Sequence, residues 1–186
     1  GRHSLLGSSV EQVMSIFNAN LQQQEANFEP LSPVSFLRRA AQIAPAHTAV
    51  IHGDRRYTYA QFYERSCRLA SALSRRGVGQ GDCVAIMGAN TPEMLEAHNG
   101  VPMLGAVLNS LNIRLDPRTI AFILEHGEAQ VLLTDCGFSD TVREALALID
   151  RELLVVDIDD PMATGGECLG AVDYEDFLAE GDPNFA

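Results

Sequence analysis

At 186 residues, 46% of them hydrophobic, the chain is long enough for one substantial core with at most a small extra lobe. Its formal net charge of -12 opposes contact with phosphate backbones and anionic headgroups, which excludes non-specific binding to nucleic acid or to a membrane surface. All thirteen basic residues are Arg, so chemistry that needs a lysine, as a Schiff base or in a phosphate-cradling loop, has no candidate here.

In chain order, residues 1–26 hold an amphipathic stretch, with Val10, Val13, Met14, Phe17 and Leu21 spaced for one helical face and the polar run Gln22-Gln23-Gln24 behind it. This segment reads as an N-terminal arm, a partner helix or a tag-derived terminus. Leu5-Leu6 is too short for a secretory signal, and no later run approaches the ~18 apolar residues that cross a bilayer. Ser32-Pro33 then supplies an N-cap and a proline at the first helical position, with Phe36, Leu37, Ala40 and Ala41 on the inner face and Pro45 ending the helix.

Residues 49–52 and 56–58 flank Gly53-Asp54 and predict a hairpin. Thr58-x-x-Gln61 is a capping box that opens the next helix, whose apolar stripe is Phe62, Ser66, Leu69, Ala70 and Leu73. Arg75 and Arg76 suit the carbonyl end of that helix, and Gly77 closes it. Strand and helix alternate from there: strands over 83–87, 107–111, 131–134 and 153–158, helices from Pro92, over 117–126 and over 140–149, and a last short helix over 174–178. Thr91-Pro92 and Asp116-Pro117 repeat one start signal, and Gly127 closes the second of these helices. The alternation predicts an α/β fold, a largely parallel sheet with helices on both faces.

Few residues offer chemistry. Gly77-Val78-Gly79-Gln80-Gly81 runs from a helix into a strand, the wrong order for a dinucleotide loop, and reads as a plain turn. Gly88-Ala89-Asn90-Thr91 leaves a strand and opens a helix, where open α/β sheets bind ligands, although a tight turn capped by Thr91 accounts for the same residues. The five histidines, at 3, 47, 52, 98 and 126, form no metal or nucleophile motif, and His98 is expected to pack or to hydrogen-bond. Asp157, Asp159 and Asp160 read as solvated turn residues rather than a Mg²⁺ site. Cys67, Cys83, Cys136 and Cys168 have spacings that suggest neither a zinc site nor a disulfide framework, and a reducing cytoplasm is the expected setting. No catalytic or metal-binding residue is assigned, and cofactor-binding residues are left open.

In series, LSPVSFLRRAAQIAP (31–45), YTYAQF (57–62), GVGQGDCVAIMGANTPEMLEAHNGVP (77–102) and MLGAVLNSLNIRLD (103–116) resemble the opening of the AMP-forming acyl-CoA synthetases of the adenylate-forming superfamily. The resemblance runs from Asn27-Phe28 to Ala186 and is nearest in character to bacterial medium-chain and methylmercaptopropionate-type CoA ligases. It implies that residues 27–186 are the first part of the AMP-binding N-terminal domain, an incomplete subdomain of the synthetase fold. The parent would join a carboxylic acid to CoA through an acyl-adenylate, using ATP, Mg²⁺ and CoA.

The family's Ser/Thr/Gly-rich phosphate loop and catalytic lysine match no position here, so the fragment alone is expected to bind no cofactor and to be inactive. Its expected partners are the remainder of the synthetase and a second copy in a homodimer. Gly105-Ala106, Asn112 and Asp116 take scaffold roles. The loops around Asn90, Asn109 and Asn112 are those expected to approach ligand. The alternation is equally that of a self-sufficient, non-catalytic α/β binding or oligomerisation module, or of a flavodoxin-like ligand-binding domain.

Overall fold

A computed structural model describes residues 32–185, and the amphipathic stretch over 10–21 lies outside them. The helix α1 (Pro33–Ile43) leads into an antiparallel ribbon of β1 (Thr48–His52) and β2 (Arg55–Thr58), then α2 (Tyr59–Arg75), β3 (Cys83–Met87), α3 (Pro92–Met103), β4 (Val107–Ser110), α4 (Pro117–His126) and β5 (Ala129–Asp135). A 3-10 turn (Cys136–Phe138), α5 (Ser139–Leu146), β6 (Leu154–Ile158), β7 (Val172–Asp173) and α6 (Tyr174–Ala179) complete it. Strands β3 to β7 form one sheet in the order β4-β3-β5-β6-β7, parallel at every pairing. Among the described residues no helix is long and apolar enough to cross a membrane.

The period-two pleat divides β3 between two cores. Val84 and Ile86 join Val131, Leu133, Val156 and Ile158 beneath α2, α3 and α6, whereas Cys83, Ala85 and Met87 join Leu132 beneath α4 and α5. Every residue of β3 is buried, as expected of a parallel strand covered on both faces. A smaller cluster of Leu37, Val50 and Phe62 seats the ribbon and α1 against α2.

The capping box is present: Gln61 N–H donates to Thr58 Oγ1 at 3.3 Å and Thr58 N–H to Gln61 Oε1 at 2.9 Å. Gly77, at φ +87, ends α2, as its position predicts. Several local expectations change. Phe36 is 59% exposed, because α1 buries only Leu37. Ser32 and Thr91 stand at N-cap positions without donating or accepting there through their side chains, while Asp116 accepts from the N–H groups of Arg118 and Thr119. Gly127 ends α4 at an ordinary φ of -79, and the left-handed residue is Glu128, at +50. Glycine is needed at 127 for room, since a Cβ would come 2.9 Å from Ile123 O.

Candidate functional site

The chain leaves β3 toward β4 on one side and returns to β5 on the other. The crevice above the C-terminal ends of β3 and β5 is therefore where an open parallel sheet offers a ligand site. Here the ribbon covers it. His52 ends β1 and Arg55 begins β2, and their turn packs so closely on the β6–β7 connection that a Cβ on Gly53 would meet Met162 Sδ at 2.7 Å. Arg55 donates to Glu93 Oε1 at 2.6 Å and to Asp160 Oδ1 at 3.3 Å, and His52 Nε2 lies 3.0 Å from both Asp160 oxygens.

Burial works against the Arg55 charge, but the hydrogen bond and charge of Glu93, with help from Asp160, outweigh it and raise its pKa. Asp135, at the end of β5, accepts from Gly137 N–H at 2.8 Å. Burial raises its pKa against that bond and one from the Ala89 backbone, and the nearby Asp160 and Glu93 charges push the same way. The buried Arg55 Nε, Glu93 Oε2 and Thr134 Oγ1 have no hydrogen-bond partner. The cluster clamps ribbon, α3 and the loop after β6 together and presents no nucleophile to a substrate.

A second charged group lies on the α2 side. Arg65 donates to Glu96 Oε1 at 2.6 Å and to both oxygens of Glu175, at 2.6 and 2.8 Å, and its guanidinium stacks 4.9 Å from the Tyr57 ring centre. The Tyr174 hydroxyl donates to Glu96 Oε2 at 2.9 Å. Burial pulls the Glu96 carboxyl up, to about 7, against Arg65 and Tyr174, which hold it down. Burial also opposes the charge on Arg65, yet the bonds to Glu175 and Glu96 raise its pKa, so the two partners pull in opposite senses. Arg65 and Tyr174 both donate to the one buried carboxyl, so ion pair and protonated form compete at Glu96, with burial favouring the protonated form.

What remains open is a groove of about 530 Å³ one strand over, lined by Gly88, Ala89 and Asn90 after β3, Met94 and His98 of α3, Ser110 at the end of β4 and residues 111–113 after it. Asn90 and Met94 also line a narrower crevice of about 160 Å³ beside Val50, Ile51 and His52. Asn90 and Asn112 thus line one groove together with the apolar Met94, Leu111 and Ile113. Such a lining can hold a ligand, but it contains no Asp, Glu, Arg or Cys. Asn109 is not part of it: within β4 it pairs with Ala85, and its side chain faces Gly127 at the other end of the strand layer. His98 is exposed and its Nδ1 donates to Met94 O at 2.8 Å, so it hydrogen-bonds within its own helix.

The acidic trio also differs from expectation, since only Asp159 is exposed. Asp157 is 2% exposed and accepts from the N–H groups of Leu169 and Gly170, and Asp160 belongs to the clamp. Their surroundings come from the ribbon and the long β6–β7 connection, neither of which strand-exit composition reveals. Glu93, Glu96, Arg55 and Arg65 were not singled out by sequence reasoning. The available signal was two glutamates three apart at the start of α3, on either side of Met94 and Leu95.

This arrangement matches the fold of the N-terminal domain of CoA ligases. The fold matches the anthranilate CoA ligase AuaEII, solved in complex with anthranoyl-AMP, at TM-score 0.76 and 21% identity, covering 87% of this chain and 30% of that one. It matches a benzoate CoA ligase from Burkholderia xenovorans at TM-score 0.70 and 23% identity, over 81% and 28%. The AMP-binding enzyme family matches residues 37–182, and the chain belongs to that family. Among curated relatives, it is 47% identical over 174 residues to the Arabidopsis thaliana peroxisomal acetate/butyrate–CoA ligase AAE7, covering 86% of this chain and 30% of that protein. It is 43% identical over 178 residues to the acetate–CoA ligase CCL3 of Humulus lupulus, covering 89% and 31%. The chain therefore spans about three-tenths of the length of these relatives.

Proposed function

We propose that this chain is the first part of the N-terminal domain of an AMP-forming ligase that joins short-chain carboxylic acids to CoA, with ATP cleaved to AMP and pyrophosphate. The observation that carries this reading is the 47% identity to a ligase named for acetate and butyrate, sustained over 86% of the chain. It moves the acid from the medium-chain type suggested by the sequence motifs toward acetate and butyrate.

Alone, the chain supplies scaffold and one wall of a cleft. It contains no lysine, and among the described residues no three His, Cys, Asp or Glu side chains gather to hold a metal. These residues do not fit a Mg²⁺ site, and ATP, Mg²⁺ and CoA would be held by the rest of the synthetase. The groove between Asn90 and Asn112 would face that remainder. Four unpaired thiols suit a reducing compartment such as the cytoplasm, whereas AAE7 and the related AAE11 carry "peroxisomal" in their names. Imaging of the fluorescently tagged full-length protein separates the two.

The test is pyrophosphate release with ATP, Mg²⁺, CoA and straight-chain acids from acetate to dodecanoate. The full reading frame should turn over acetate and butyrate fastest, and the 186-residue chain should give no turnover. Activity that co-purifies with the short chain would overturn the fragment reading, and a preference for octanoate or longer acids would overturn the substrate.

A further inference from the structure

Cys136 and Cys168 are 32 residues apart in sequence, yet their sulfurs lie 3.5 Å apart. Cys136 is buried at the start of the 3-10 turn that follows β5, and Cys168 is exposed in the connection between β6 and β7. The structure holds this approach from both sides. Just before Cys168, the Glu167 N–H donates to Ser139 Oγ at 3.0 Å, and the Glu167 carboxylate accepts from Arg143 at 2.6 Å. Just after it, the N–H groups of Leu169 and Gly170 donate to the buried Asp157 carboxylate at 3.0 and 2.6 Å. Gly166, at φ +104, passes so near the turn that a Cβ there would collide with the Cys136 carbonyl. Cys168 is thus anchored over Cys136 by backbone bonds to α5 and β6, which gives the pair a high effective concentration.

We propose that Cys136 and Cys168 are a redox modification site: a peroxide converts them to a reversible disulfide that fastens the β6–β7 connection to the end of β5. Exposure assigns the first step to Cys168, whose thiolate attacks one peroxide oxygen. The O–O bond breaks, Cys168 becomes a sulfenic acid, and the other oxygen leaves as water after taking a proton. The Cys136 sulfur then attacks the sulfenic sulfur, loses its proton and expels hydroxide as a second water. Two thiols give up two electrons, and one hydrogen peroxide becomes two waters. Burial pushes the Cys136 thiol up to about 12, with Cys168 beside it adding to the effect, so Cys136 is a poor first nucleophile and acts as the resolving partner. The sulfurs must close from 3.5 Å to the ~2.05 Å of a disulfide. Gly165 and Gly166, both at positive φ, let the exposed loop take up that movement.

The experiment treats the 186-residue chain with one equivalent of hydrogen peroxide at neutral pH, then maps it by mass spectrometry without reduction. The expected product is an intramolecular Cys136–Cys168 peptide pair about 2 Da lighter, with Cys67 and Cys83 still reactive to a thiol reagent in denaturant and dithiothreitol restoring all four thiols. The cross-linked chain should melt about 5 °C or more above the reduced one. In Cys136→Ser, a sulfenic acid at Cys168 should be trapped by dimedone. Cross-links between molecules, Cys168 passing to sulfinic acid while Cys136 stays a thiol, or equal consumption of all four thiols would each overturn the proposal.

Discussion

Arg55 Nη1 lies 2.6 Å from Glu93 Oε1, a bond that joins the ribbon to the first turn of α3 across 38 residues. The same guanidinium reaches Asp160 beyond β6, so one side chain ties three elements together above the crevice of the sheet. Glu93 is 3% exposed and Asp160 6%, and without Arg55 they are buried carboxylates of which Asp160 keeps His52 and the Met162 N–H. Arg55→Ala is expected to cost about 2–3 kcal/mol, the low side of a fully buried pair because Arg55 keeps some water. Urea unfolding of both chains measures it, and a loss under about 0.5 kcal/mol would mean that the clamp contributes no net stability.

Glu96 gives a pH dependence with a definite sign. Its carboxyl is raised from 4.5 to about 7 in the folded chain, so below 4.5 it is protonated in both folded and unfolded states. Between those values the unfolded chain releases the proton while the folded chain keeps it, and stability falls as pH rises. The full cost is reached once the folded carboxyl is ionised, above about pH 7. Glu96→Gln imitates the protonated form at all pH values. The wild-type chain should therefore lose stability relative to the variant between pH 5 and pH 8, measured by urea unfolding at both. A wild-type chain that gains over that range would show that Arg65 and Tyr174 outweigh the burial.

Gly100 on α3 sits where a Cβ would meet Ser66 O of α2 at 2.8 Å and Leu69 side-chain atoms at 3.1 and 3.2 Å. Alanine at an unconstrained helical site is worth about 1 kcal/mol over glycine. Gly100→Ala is nevertheless expected to destabilise by about 1–3 kcal/mol, because the α2 backbone must retreat. Thermal melting decides: a raised Tm would mean that the two helices have slack where the structure shows contact.

The sheet was legible because its strands and helices carry local signals. The α4 bounds follow from Asp116-Pro117 and the end of the apolar period, and β3 is a plain apolar run. The two-residue β7 was not legible, since it is held by pairing with β6 and by Asp173, which caps α6. The clamp was harder still. Arg55 and Glu93 look like surface residues in sequence, and only the packing of the ribbon over the crevice desolvates them. Cys136 and Cys168 show the same limit, because spacing along the chain does not report a loop that folds back over a turn. The groove was half legible: Asn90 and Asn112 follow strands, whereas Asn109 lies inside β4, within the strand predicted over 107–111, and its side chain faces Gly127.

The edges of the sheet bear on association. β7 is a two-residue edge, but β4 presents the four residues Val107–Ser110, which among the described residues pair on one side only, with β3. Val107 is 55% exposed there, and Ile113, in the groove past the other end of β4, is 41% exposed. An unpaired apolar edge is a template for another strand, and a short one gives weak pairing. The chain is therefore expected to show a monomer–dimer equilibrium at micromolar to millimolar concentration, by sedimentation velocity. Val107→Lys places a charge on that edge and should move the equilibrium to monomer without lowering Tm by more than about 2 °C, since Val107 is largely exposed. A chain starting at Phe28 separates the edge from the N-terminal arm: dimer lost only in that shorter chain would assign association to residues 1–27, and a monomer at every concentration would remove the edge as an interface.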